Sequence, residues 1–234
     1  MLAAYPFNDP RHGGQVRAAG FARSLSESGW QVRTVGIYPD AFFPTDQRGP
    51  DDIVLTGPEI RDAALGDVLF ADLIVAQHAA RSPDAVAALR AVLERLQPDI
   101  VHIEQPWPWL LLNEALKTLP NPAIVYSSQN IEWRMRPEMY RLGLRRAGAD
   151  RLVAETRALE MALWRRAELI LSISDVEGAE IARESGRDDV AYAPPVSDIA
   201  DRPAPADGRF GTEAEAAGVR YAALLSSAYW PNNE

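Results

Sequence analysis

Three places along the chain gather residue types able to do chemistry. Gly13 and Gly14 follow a short apolar run and precede a helix-like stretch. Absent side chains there let a ligand approach the backbone, and unpaired N–H groups at a helix start can receive an anion. The same pair serves equally well as a purely conformational turn. Its spacing is not the G-x-G-x-x-G of a dinucleotide fingerprint, and no lysine-bearing phosphate loop follows it. The second place is His102 and Glu104, alternate residues leading into Gln105 and Pro106. If this run is a strand of an open α/β sheet, its end lies on the edge where such sheets hold ligands, although a packed core histidine reads the same way. The third is the polar cluster Ser127, Ser128, Gln129, Asn130 and Glu132. These groups can hydrogen-bond the hydroxyls of a sugar, and Glu132 can take a proton if a neighbour positions it; an elaborate helix cap is the alternative.

Other chemistries are poorly supplied. The chain has no cysteine, which removes thiol nucleophiles and thiolate metal sites, and its three histidines, His12, His78 and His102, form no His-x-x-x-His pair. No metal and no cofactor is therefore expected. Ser174 beside Asp175 suits helix capping better than nucleophilic catalysis. With 33 acidic against 24 basic side chains the net charge is -9, which disfavours nucleic acid as a partner. One stretch runs against that balance: six arginines, at 134, 136, 141, 145, 146 and 151, face only Glu132, Glu138 and Asp150. With Trp133, Met135, Met139, Tyr140, Leu142 and Leu144 interleaved, residues 133–151 are a candidate contact for an anionic lipid surface or a phosphate-bearing acceptor, against an ordinary solvated helix and loop. No secretory pattern and no apolar run of about 20 residues is found, so a cytoplasmic protein is expected, with membrane association through that stretch.

These residues need elements to position them. The 234 residues, 47% hydrophobic, suffice for one large or two small globular domains. Hydrophobic patterning predicts a strand at Leu2–Pro6, a helix at Gln15–Ser28 and a strand within Gln31–Tyr38, a βαβ unit. A long loop over Tyr38–Pro50 then leads to a strand at Ile53–Thr56. Residues 59–80 carry a weak helical pattern, with Leu73–Ala76 read as a short strand or buried turn. Ser82-Pro83 starts a helix that Pro98 ends. Strands are predicted at Ile100–Ile103, Ala123–Ser127, Leu169–Ile173 and Val190–Ala193, and helices at Trp107–Leu119 and Leu152–Arg166. Ser174 and Glu177 have the spacing of a reciprocal capping box opening a helix to about Ser185. Such alternation argues an α/β fold, a parallel sheet covered by helices on both faces. The expected organisation is a domain at 1–199, a Pro- and Gly-containing linker or mobile loop at 200–219, and the start of a second domain at 220–234.

Several segments, taken in order, carry a resemblance. Ala4 to Gly14 with Arg17 and the Leu25 to Val35 stretch resembles an opening strand, glycine loop and helix; Pro98-Asp99-Ile100-Val101-His102 resembles a Pro-Asp-hydrophobic-hydrophobic-His motif. Ser127 to Glu132 resembles a polar segment in which Gln129 stands where a histidine is expected. Arg165 to Asp175 resembles an arginine segment and a strand ending in serine. Tyr192 to Val196 and Leu224 to Asn232 resemble the exit from the first domain and the Pro-Asn turn of the next. Together these are similar to the N-terminal half of a GT-B glycosyltransferase of the retaining family 4 type.

The resemblance implies a Rossmann-like acceptor-side domain and metal-independent transfer of a sugar from a nucleotide-diphosphate donor to a glycan or lipid-linked acceptor. It implies catalytic His102 and Glu104, Gly13 and Gly14 near the donor phosphates, and substrate contacts from Arg17, Gln129, Asn130 and Glu132. It also implies that most donor contacts belong to a second domain, so that this chain alone is expected to be poorly active. A non-catalytic carbohydrate- or nucleotide-binding module, or a GT-B sugar-nucleotide epimerase, are the alternatives.

Overall fold

The computed structural model describes residues 1–58, 60–62, 71–135 and 149–194. Seven strands form one sheet: β1 (Leu2–Ala3), β2 (Val35–Pro39), β3 (Ile53–Leu55), β4 (Ile100–Glu104), β5 (Ala123–Ser128), β6 (Leu169–Ser172) and β7 (Val190–Tyr192). Every pairing is parallel, in the order β3-β2-β1-β4-β5-β6-β7. Strand order therefore reverses between β1 and β4. That reversal opens a crevice beyond the carboxyl ends of the two strands, because their connections leave toward opposite sides.

The helices are α1 (Gly13–Glu27), α2 (Ala71–Arg81), α3 (Pro83–Leu96), α4 (Pro108–Ala115), α5 (Ala149–Arg166) and α6 (Asp175–Ser185). Alternation along each strand distributes side chains to two faces. Val101 and Ile103 of β4 and Ile124 and Tyr126 of β5 join the large core shared with α2 to α6, whereas Ala3 and Tyr5 join Ala18 of α1 in a smaller one. His102 and Glu104 consequently lie on the α1 face. Trp164 and Leu163, both fully buried, anchor α5 in the large core. All described residues fall in one compact unit, Met1–Val196. The expected linker at 200–219 and second-domain start at 220–234 lie outside the described residues, as do Arg136, Arg141, Arg145 and Arg146 of the basic stretch.

Most predicted elements are present, with three instructive departures. Leu73–Ala76 is neither strand nor turn but the middle of α2, whose buried residues Leu73, Val75, Ala76 and Ala79 recur on one side of the helix. A four-residue apolar run cannot by itself distinguish the two periods. The second departure concerns Gly13 and Gly14, which are the first turn of α1 rather than a loop before it; His12 is the N-cap, its Nδ1 accepting from the Gln15 N–H at 3.4 Å.

The third is the capping box, of which only half forms. The Ser174 hydroxyl accepts from the Glu177 N–H at 3.4 Å, but the Glu177 carboxylate turns away to accept from the Ile131 N–H at 3.0 Å. A backbone donor on another segment has outcompeted the local one. The ends of α3 follow the sequence signals: Ser82 caps it with Pro83 inside its first turn, and it closes on Gln97 in the left-handed region.

Candidate functional site

Helix α1, strand β4 and the end of β5 bring seven of the eight predicted residues to the carboxyl end of the sheet. Glu104 ends β4 directly beside Ser127 of β5. Gln105 then turns the chain with φ 65° while its N–H donates to the Ser127 carbonyl at 3.2 Å. Helix α1 crosses this face, and its Arg17, only 2% exposed, spans the strand ends. Arg17 Nη2 donates to the Ser127 hydroxyl at 2.9 Å, Nη1 donates to the Ala193 carbonyl at 2.9 Å, and Nε lies 3.7 Å from Glu104 Oε2. Its guanidinium also stacks 4.7 Å from the Phe21 ring centroid, and that ring sits 5.5 Å from His102.

Glu104 is the centre of this network. Its side chain is fully buried, and its Oε1 lies 2.9 Å from His102 Nε2. Its Oε2 accepts from Gln129 Nε2 at 2.9 Å. Burial opposes ionisation, but the hydrogen bond from His102, the one from Gln129 and the Arg17 charge outweigh it and hold the carboxyl below the ordinary carboxylate range. An ionised carboxylate only accepts, so His102 carries its proton on Nε2. Arg17 is pushed the other way, its pKa lowered by burial and partly restored by Glu104.

Tyr5 completes the ring of contacts. Gln129 Nε2 also donates to the Tyr5 oxygen at 2.8 Å, and the Tyr5 hydroxyl donates to the Gly14 carbonyl at 3.0 Å. Burial, reinforced by the nearby Glu104 charge, raises the Tyr5 pKa well above its usual value. Against Tyr5 packs the His12 ring, edge-on at 5.1 Å, and burial lowers the pKa of that imidazole. Gly14 is closely approached: a Cβ there would lie 3.1 Å from Gln129 Oε1 and 3.3 Å from the Tyr5 ring, so its neighbours would have to give way by a few tenths of an ångström. Gly13 faces open space.

The segment after β5 is fixed by carboxylates from two helices. Glu177 of α6 accepts from the Ile131 N–H, while Glu160 of α5 accepts from the Glu132 N–H at 3.2 Å and the Trp133 N–H at 2.9 Å. The Ser128 hydroxyl donates to the Asn130 carbonyl at 3.0 Å. A helical turn begins here, and two carboxylates capture N–H groups that such a start leaves open. Glu160 is fully buried, and its pKa is pushed up to about 8 by burial and by the neighbouring Glu132 charge, against the lowering effect of those backbone hydrogen bonds.

The eight predicted site residues therefore divide. Gly13, Gly14, Gln129 and Asn130 form an accessible rim, with Gly13 exposed and the other three half-buried. His102, Glu104 and Arg17 lie immediately behind that rim, each less than a tenth exposed. Glu132 is also buried, but on the opposite face of the sheet beside Glu160. Sequence reasoning missed Tyr5, which read as one more apolar strand residue, and Glu160. The available signal for Glu160 was a carboxylate on the apolar face of α5, beside Leu159 and one turn after Thr156. In the basic stretch, Arg134 pairs with Glu180 and Arg151 lies 3.4 Å from Glu155. Among the described residues no helix is long and apolar enough to cross a membrane.

A comparison with curated proteins gives no match. The family model for the glycosyl transferase 4-like domain matches residues 12–195. Its span runs from the N-cap of α1 to just past β7, taking in six of the seven strands and every rim residue just described. This chain belongs to the glycosyl transferase 4-like domain family, in a Rossmann-like α/β fold consistent with the N-terminal domain of a GT-B glycosyltransferase.

Proposed function

We propose that this chain is the acceptor-side part of a retaining glycosyltransferase that moves a sugar from a nucleotide-diphosphate sugar to a glycan or lipid-linked acceptor. The observation that carries the reading is the meeting of the α1 glycine turn with Gln129, beside Asn130 in the chain, at the strand reversal of a family-matched sheet. The bare turn lets a sugar or phosphate approach backbone N–H groups at a helix start. Gln129 and Asn130 supply amide groups of the kind that bind sugar hydroxyls. His102 and Glu104 act as positioning residues in this scheme, since both are buried. They hold the Gln129 amide and the α1 helix in register, so that the rim meets the ligand without reorganising.

The same burial supports a second reading, a carbohydrate- or nucleotide-binding module without turnover. One assay separates them: release of UDP or GDP from a panel of nucleotide sugars, measured with this chain and with any longer protein that contains it. Turnover in either, dependent on an added glycan or lipid-linked acceptor, supports transfer. Tight binding without turnover in both supports the module, and neither binding nor turnover in either contradicts both readings.

A further inference from the structure

We infer that Gln15 and Gln47 are positioning residues for the α1 glycine turn: two buried carboxamides, from two different elements, that hold the Pro6–Arg11 loop and so fix where Gly13 and Gly14 stand. The inference deepens the transferase reading and rests on it, because the glycine turn is where that reading brings the ligand. Asn8 to His12 are all exposed, yet the two glutamines bonded to this loop are each only 1% exposed. Gln15 lies in the first turn of α1, and Gln47 ends the short Thr45–Gln47 turn between β2 and β3. Neither carboxamide has a second orientation open to it. Gln47 Nε2 donates to the Asp9 carbonyl at 2.5 Å and reaches the Asn8 carbonyl at 3.5 Å; carbonyls only accept, so the nitrogen must face them. Gln15 uses both ends, Oε1 accepting from the Arg11 N–H at 2.9 Å and Nε2 donating to the Pro6 carbonyl at 3.0 Å, so a flipped amide would break both bonds. The loop ties back through Asn8 Nδ2, which donates to the Arg48 carbonyl at 3.0 Å.

The loop they hold is not a relaxed one. Asp9 has φ 45°, in the left-handed region although it is not glycine, and Pro10 follows it. A side chain persists in that region where its surroundings over-determine the backbone. The ion pairs of Arg11 with Asp9 and Asp46 join groups more than half exposed and contribute little to that constraint. The buried amides supply it, Gln47 at the Asp9 carbonyl itself and Gln15 at both ends of the loop. From Arg11 the chain passes directly into His12, the N-cap of α1, and then into Gly13 and Gly14, so a shift of the loop moves the turn. Both glutamines are too buried to meet a ligand at the rim, and their effect passes through the backbone. A turn already held in place spares the ligand the cost of ordering it.

The test uses Gln47→Met and Gln15→Met, which keep side-chain length and remove the hydrogen bonds. Binding of UDP-glucose and GDP-mannose to the whole chain is titrated by NMR, with no turnover required, at a temperature where circular dichroism shows each variant fully folded. Each variant is expected to bind at least about fivefold more weakly than wild type, the scale of one lost hydrogen bond. Without ligand, the backbone amide shifts of Asn8 to Gly14 should move in both variants while those of β5 and β6 stay. A merely structural role would lower the unfolding temperature and leave the affinity of the folded protein unchanged. Gln47 belongs to a short turn rather than to a helix packed on the sheet, so Gln47→Met carries the test if Gln15→Met does not fold. Wild-type affinity in the folded variants, or shifts that stop short of Gly13 and Gly14, overturns the assignment while leaving the transferase reading intact. Failure of every nucleotide sugar to bind wild type contradicts that reading, and this assignment falls with it.

Discussion

The Arg17 guanidinium on α1 donates to the Ser127 hydroxyl at the end of β5 at 2.9 Å, across a sequence separation of 110 residues. The same side chain reaches Glu104 at the end of β4 and the Ala193 carbonyl just beyond β7. One buried cation thus joins the helix that carries the glycine turn to three strand ends.

Removing that cation leaves Glu104 buried beside one fewer positive charge and leaves the Ala193 carbonyl without its Arg17 donor. Arg17→Met is expected to cost about 3–5 kcal/mol of folding stability, the range for breaking one half of a buried ion pair. Arg17→Lys keeps the charge but not the fork, and should fall between wild type and Arg17→Met. Urea unfolding midpoints at one pH check the order; a wild-type midpoint for Arg17→Met contradicts it.

The two adjacent glycines should respond differently to the same change. Gly13→Ala adds a methyl group in open space at a helix start, so stability should hold or rise by less than about 1 kcal/mol. Gly14→Ala presses on Gln129 Oε1 and on the Tyr5 ring and should displace the amide. Ligand affinity is expected to fall at least about tenfold in Gly14→Ala and to stay within about twofold in Gly13→Ala, both measured by titration of the folded variants.

Tyr5→Phe isolates one hydroxyl. The Gly14 carbonyl loses a donor and Gln129 loses an acceptor, while the ring packing stays. A stability loss of about 0.5–1.5 kcal/mol is expected from the hydrogen bonds alone. Ligand binding should weaken with it, because one of the two contacts orienting Gln129 is gone. Retained affinity together with lowered stability would show that Tyr5 serves packing only.

Glu160 makes stability depend on pH with a definite sign. Its folded pKa, about 8, is raised above the ordinary carboxylate value of 4.5, so the folded state binds the proton more tightly. That contribution is full below about 4.5 and is lost as pH rises to about 8. Glu104 has the opposite sign: its depressed pKa adds stability above the ordinary carboxylate value, which is lost as pH falls through the folded value. Unfolding free energies of wild type and Glu160→Gln across that range should differ by a falling curve in wild type that the variant lacks. Parallel curves contradict the prediction.

Much of this was legible in the sequence, and the limits are physical. The placing of His102 and Glu104 at the end of one strand was readable, since the strand signal is local. The half-formed capping box and the Leu73–Ala76 run were misread for a shared reason. In both cases tertiary partners decided: Ile131 for the Glu177 carboxylate, and the neighbours of α2 for the apolar run. Burial of Arg17 was not readable either. An arginine on a helix usually faces water, and the carbonyl and hydroxyl that hold it inside come from β5 and beyond β7. Tyr5 joined the site through the turn that brings Gln129 over it, a contact between residues 124 apart.

The most direct test of the central claim is a map of backbone amide shifts of this chain in the presence of UDP-glucose and GDP-mannose. The account predicts that the largest changes fall on Gly13, Gly14, Gln129 and Asn130, and that Gln129→Met reduces them. Changes centred elsewhere on the sheet would contradict the assignment of the strand-reversal crevice as the ligand site.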